Sequence, residues 1–78
     1  LYNKLNRKEV FEMQYKIKEY REKLGMSQVE LSRKANVSRT IISGLESGTI
    51  TVTTTDTLLK IARALNKNVS DIFFESNV

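Results

Sequence analysis

Two helix-start signals stand so close together in this sequence that the helices they open cannot run side by side. Ser27-Gln28-Val29-Glu30 has the form of a capping box, in which a serine hydroxyl and the glutamate after it satisfy orphan backbone donors reciprocally. Leu31 and Ala35 follow at helical spacing, and Asn36 tolerates the left-handed conformation that ends a helix. After Val37 alone, Ser38 is placed to cap a second helix with Ile42 and Leu45 inward and Gly48 as its stop. A link of about three residues cannot bring such helices antiparallel, so they must cross steeply. Any fold open to the chain has to contain that crossing.

The remaining segments supply elements to pack around it. Ile17, Tyr20 and Leu24 recur at helical spacing before Gly25, which predicts a first helix. Thr49 to Thr55 is rich in β-branched residues and alternates like a short strand. With no second strand in view to pair with it, the segment reads as an extended loop. Leu58, Ile61, Ala62 and Leu65 form the inner stripe of a fourth helix that stops at Asn66. Val69 to Phe74 reads as a brief fifth helix, capped by Ser70, that lays aromatics on the core. The expected fold class is therefore all-α: a compact five-helix bundle over residues 15–75. Residues 1–14 form an extension, read as an arm or a short extra helix, and residues 76–78 a tail.

Composition narrows the chemistry. A chain of 78 residues holds one domain with a modest core. It has no cysteine and no histidine, which removes disulfides, thiolate metal sites and the side chain most used for acid–base work near neutral pH. The best carboxylate pair, Glu19 and Glu22, lies between Lys18 and Lys23 and is ordinary helix charge patterning. The expectation is a protein that is not an enzyme and takes no cofactor or metal. Residues 1–45 carry ten Lys/Arg against five Asp/Glu, while residues 46–78 carry three against four. That asymmetry fits either a face made for a polyanion or solvated helix surface. No apolar run approaches the roughly 20 residues of a membrane span, so the expected location is cytoplasmic.

From Ile17 to Phe73 the chain resembles the repressor and Cro-like (XRE) helix-turn-helix family. The residues that carry the resemblance are Arg21, Leu24-Gly25-Met26-Ser27-Gln28, Glu30-Leu31, Val37-Ser38-Arg39, Ile42-Ser43, Leu45-Glu46-Ser47-Gly48 and Asp56 to Leu65. The resemblance implies a lambda-repressor-like fold and a DNA-binding regulator of transcription, expected to be a repressor acting by occupying its operator. It makes the helix after Ser38 the recognition helix, lying in the major groove, with the helix after Ser27 across the phosphate backbone.

Within that frame, Arg39 is the leading base reader, since arginine makes a bidentate contact with guanine; the alternative is a phosphate contact. Thr40 can meet a base or a phosphate, and Ser43 the groove or a phosphate. Ile41 either packs on a thymine methyl or is partly buried beside its neighbours. Gln28 matches a phosphate-binding position of the family, with plain helix-start surface as the alternative. Ser27 and Ser38 cap and can also touch the backbone. Lys23, Arg33 and Lys34 divide between phosphate contact and solvated surface. Arg21 and Glu46 match positions that form a structural ion pair in the family, fixing the angle between elements.

The sequence departs from the family pattern at Ser32, where alanine is usual, and at Asn36, where glycine is usual. Gly44 within the recognition helix costs roughly 1 kcal/mol of helix propensity and removes a potential DNA contact. The threonine-rich loop after Gly48 is longer than usual and lacks the common basic residues and proline.

Most family members dimerise, which implies a palindromic operator, and Ile72, Phe73 and Phe74 exceed what one small core needs. Part of that cluster is expected at a homodimer contact, with packing inside the monomer as the competing view. Lys8-Glu9-Val10 can be encoded by a ribosome-binding consensus placed before Met13. Residues 1–12 are thus read either as an upstream extension of the frame or as a real arm. A protein-binding role such as that of an antitoxin is the main rival, using the same fold.

Overall fold

The computed structural model describes residues 11–77, and the side chains of residues 15–72. The elements run β1 (Phe11–Tyr15), α1 (Ile17–Lys23), α2 (Gln28–Ala35), α3 (Arg39–Ser47), α4 (Thr55–Ala64), α5 (Val69–Ile72) and β2 (Phe73–Asn77). The five expected helices are present.

Local chemistry sets most of their ends. The Ser27 hydroxyl accepts the Glu30 N–H at 3.0 Å, and the Glu30 carboxylate accepts the Ser27 N–H at 2.8 Å, closing the capping box. Asn36 ends α2 with φ at 58°, and Gly48 ends α3 with φ at 86°. The Thr54 hydroxyl, which the sequence reading left without a role, accepts the Thr57 N–H and starts α4. The cap expected from Ser70 is not found. Helix α5 begins at Val69, so Ser70 lies within its first turn, and the Asp71 carboxylate accepts the Asn68 N–H instead.

The core gathers one stripe from each helix. Ile17, Leu31, Ile42, Ile61, Leu65 and Ile72 are fully buried, with Ala35, Leu45, Leu58, Ala62 and Ala64 between them. Fully burying an aliphatic side chain of this size contributes about 1.5–3 kcal/mol, so these contacts hold the bundle. On α1 the inward positions belong to Ile17 and Arg21, while Leu24 is exposed at the C-cap.

The terminal segments differ from expectation. Residues 11–15 are not helical: β1 pairs antiparallel with β2, from Phe11 opposite Asn77 to Tyr15 opposite Phe73. The fifth helix stops at Ile72, and Phe73 and Phe74 belong to β2. A strand needs a partner, and here each end of the described chain supplies the other's. The ribbon joins the bundle where the Lys16 N–H donates to the Ile72 carbonyl at 2.6 Å. Residues 1–10 lie outside the described residues, and with them most of the segment read as an upstream extension or arm. Residues 49–54 form a loop, as expected, while Thr55, read as part of it, is the first residue of α4.

Candidate nucleic-acid interface

Helix α3 presents two unlike faces. Ile42, Gly44 and Leu45 are buried, whereas Arg39, Thr40 and Ser43 are exposed. The Ser38 hydroxyl accepts the Ile41 N–H at 3.2 Å and so starts the helix with Arg39 and Thr40 in its first turn. Ile41 is half-buried and packs against the core cluster, which is the plainer of its two expected roles.

One ion pair fixes the helix from behind. Arg21 donates from Nε to Glu46 Oε2 at 2.7 Å and from Nη2 to Glu46 Oε1 at 2.9 Å. Its Nη1 donates to the Met26 carbonyl at 2.7 Å, tying α1 to the turn before α2. The side chains are 9% and 4% exposed, so the fork holds α1, the α1–α2 turn and the end of α3 together in a nearly dry site. Burial pushes the Glu46 carboxyl upward. The hydrogen bonds from Arg21 and Gln28, with the charges of Arg21 and Lys18, outweigh it and hold the group below its ordinary value. The bond to Glu46 raises the Arg21 guanidinium further still.

From this pair a polar chain runs to the surface. Gln28 donates from Nε2 to Glu46 Oε1 at 3.1 Å, and its Oε1 accepts from Arg39 Nε at 3.4 Å. A carboxylate only accepts and a guanidinium only donates, so the two neighbours leave the amide one orientation. Gln28 and Arg39, assigned separately to phosphate and base on the sequence, are therefore in contact. With Nε engaged, the Nη end of Arg39 is uncommitted among the described residues.

Beside α3 lies an open concavity of about 550 Å³, lined by Arg39, Thr40, Ser43, Gly44, Thr49 and Ile50. Its far wall comes from the loop after α3, which folds back because Gly44 has no side chain. A Cβ at Gly44 would collide with the Ile50 side chain, including Ile50 Cβ at 3.2 Å. The Gly44 carbonyl also accepts the N–H of Gly48 and of Ile50, each at 3.0 Å. Gly44 was read on the sequence as a lost DNA contact; its place is under the loop, on the buried side. Thr49 and Ile50 are wall residues that sequence reasoning did not single out, and the glycine inside an otherwise regular helix was the signal for them.

The other expected positions are placed as follows. Ser27 and Ser38 are exposed caps. Lys23 is exposed, 3.6 Å from Glu19 and with its Nζ 5.7 Å from the Tyr20 ring centroid, on α1. Arg33 and Lys34 are exposed on the last turn of α2. Ile72 is fully buried within the monomer, so it cannot lie at a dimer contact. The side chains of Phe73 and Phe74 lie outside the described residues.

The family model that matches, described as Helix-turn-helix, covers residues 17–72. An uncharacterized HTH-type transcriptional regulator of Archaeoglobus fulgidus is 39% identical over 61 residues, spanning 78% of this chain and 86% of that protein. Among solved structures, the SinR protein/SinI protein complex matches with a TM-score of 0.68 and 33% identity over 70% of this chain. The match spans about half of that neighbour's length, 53%. A structure of SinR, a master regulator for biofilm formation, in complex with DNA matches at 0.67 and 33%, over 69% of this chain and 86% of that one. The N-terminal DNA binding domain of SinR from Bacillus subtilis gives 0.67 and 33%, over 69% and 78%.

Proposed function

The chain belongs to the helix-turn-helix family of transcriptional regulators, and from that premise we propose that it binds double-stranded DNA sequence-specifically, with α3 in the major groove. The observation that carries this reading is the outer face of α3. Arg39, Thr40 and Ser43 stand exposed along a helix whose opposite side is locked into the core by Ile42, Leu45 and the Arg21–Glu46 fork. A helix of this width enters the major groove, where each base pair shows its own pattern of donors and acceptors.

Arg39 reads a guanine. Its Nε bond to Gln28 holds the guanidinium plane, and the two Nη groups supply the bidentate pair for O6 and N7. Thr40 and Ser43 add hydroxyls to base edges or to the flanking phosphate. Across the turn, Gln28, Ser27, Ser38, Lys23 and Lys34 serve the backbone, positioning the domain without reading sequence. Gln28 does so partly through Arg39, since its amide bridges that residue to Glu46.

The protein acts as a repressor by occupying its operator, and no chemistry is involved. A two-fold homodimer on a palindromic site would set two α3 helices about 34 Å apart. No helix among the described residues is long and apolar enough to cross a membrane, which is compatible with action on DNA in the cytoplasm.

Selection of bound duplexes from a random library tests the reading. Recovery of a palindrome containing guanine, with binding that weakens steeply as salt rises, is the expected result. Recovery of unenriched sequence would remove it.

A further inference from the structure

The middle of the loop after α3 has almost nothing holding it. Among the described residues, no backbone–backbone hydrogen bond reaches Thr51, Val52 or Thr53, and Val52 is 84% exposed. One side chain from elsewhere in the fold does reach this stretch. The Tyr15 hydroxyl, at the end of β1, donates to the Thr51 carbonyl at 2.8 Å across a separation of 36 residues. The Tyr15 ring is half-buried and packs against the core cluster, so the hydroxyl is offered from a fixed base. A phenol is protonated throughout the neutral range, and burial pushes this one further above its ordinary value.

The start of the loop is thus held at three successive residues. Thr49 bonds to the Ser47 hydroxyl and the Gly44 carbonyl, Ile50 lies over Gly44 and donates its N–H to the same carbonyl, and Tyr15 takes the Thr51 carbonyl. Thr49 and Ile50 form the far wall of the concavity opposite Arg39, Thr40 and Ser43, so where this loop stands decides how close a duplex can come to α3. Backbone N–H groups and threonine hydroxyls are common phosphate donors. Among the described residues, nothing accepts the amides of residues 51–53.

We propose that Tyr15 is a positioning residue for DNA binding: from the terminal ribbon, its hydroxyl fixes the 49–53 loop beside α3 so that free amides and threonine hydroxyls of the loop meet a phosphate. This rests on the DNA-binding reading above. It makes the β1–β2 ribbon part of the binding apparatus, because Tyr15 is the last residue of β1, opposite Phe73 of β2. Ordering the loop before contact removes an entropic cost that a free loop would incur on binding.

Tyr15→Phe tests this with the ring retained and only the hydroxyl removed. The probe is the duplex recovered by selection with the full chain. Affinity should fall about threefold to tenfold, the usual range for one hydrogen bond. The slope of log affinity against log salt should stay unchanged, because the loop's amides and hydroxyls carry no charge that displaces a counterion. In the free protein, backbone order parameters at Thr51–Thr53 should drop from rigid values near 0.85 toward about 0.6 or below, while those of α3 stay unchanged. Unchanged order parameters in Tyr15→Phe would overturn the anchoring itself. Reduced order with wild-type affinity would overturn the phosphate role and leave the DNA-binding reading standing. Wild-type protein that prefers no duplex would overturn both.

Discussion

Arg39 donates its Nε–H to the side-chain carbonyl of Gln28, 3.4 Å away, and through that amide the one cation of α3 is linked to a buried ion pair. Gln28 in turn donates to Glu46, which Arg21 grips with two hydrogen bonds. The residue proposed to read DNA is thus aimed through an amide anchored on the ion pair behind it.

Gln28→Ala should expose the aiming of Arg39 as a loss of base preference, which the phosphate role of Gln28 does not itself carry. Without the amide, Arg39 regains rotamer freedom, so the selected duplex should bind about threefold to tenfold more weakly. Preference at the guanine position should relax at the same time. The fold should persist, because the Arg21–Glu46 bonds do not depend on Gln28. Competition between matched and mismatched duplexes in both proteins measures the relaxation.

The buried fork makes stability depend on acid. Glu46 is held below its ordinary value of 4.5, so the stability this shift contributes is fully present above that value. It fades as pH falls below it and through the depressed value of the folded protein. Glu46→Gln removes this dependence and leaves Arg21 buried beside a neutral partner. It should lose about 3 kcal/mol at neutral pH and show a shallower decline toward pH 3 than the wild type. Urea titrations across pH for both proteins provide the comparison.

Gly44→Ala should destabilise, against the usual helix rule. In an open helix this change gains about 0.5–1 kcal/mol. Here the new methyl meets Ile50, whose Cβ is fixed to the loop backbone and whose branched χ1 is stiff, and overpacking costs about 1–3 kcal/mol. Gly44→Ala with Ile50→Ala should recover part of the loss, so the pair should be clearly non-additive in thermal unfolding.

What the sequence made legible was local. The hydroxyls of Ser27 and Ser38 bond to backbone within their own first turn, so their roles follow from the neighbouring residues alone. The inner stripes of α2, α3 and α4 followed from helical spacing. The pairing of Arg21 with Glu46 bridges 25 residues and came through family resemblance. Other features depend on contacts that no local pattern encodes. The β1–β2 ribbon joins the two ends of the described chain, so neither strand announced a partner. Ile72 looked surplus because its neighbours in the core come from other helices. Gly44 looked like a missing side chain because Ile50 arrives from beyond the end of the helix. The bond from Tyr15 to Thr51 depends on the ribbon and the loop both being in place.

The central claim is that Arg39 reads a guanine from the outer face of α3. Replacing that guanine by 7-deazaguanine in the selected duplex removes one acceptor and little else. The wild type should lose affinity by about tenfold, corresponding to roughly 1.4 kcal/mol, whereas Arg39→Ala, already weakened, should bind the two duplexes equally. An equal loss in both proteins, or none in the wild type, would contradict the account.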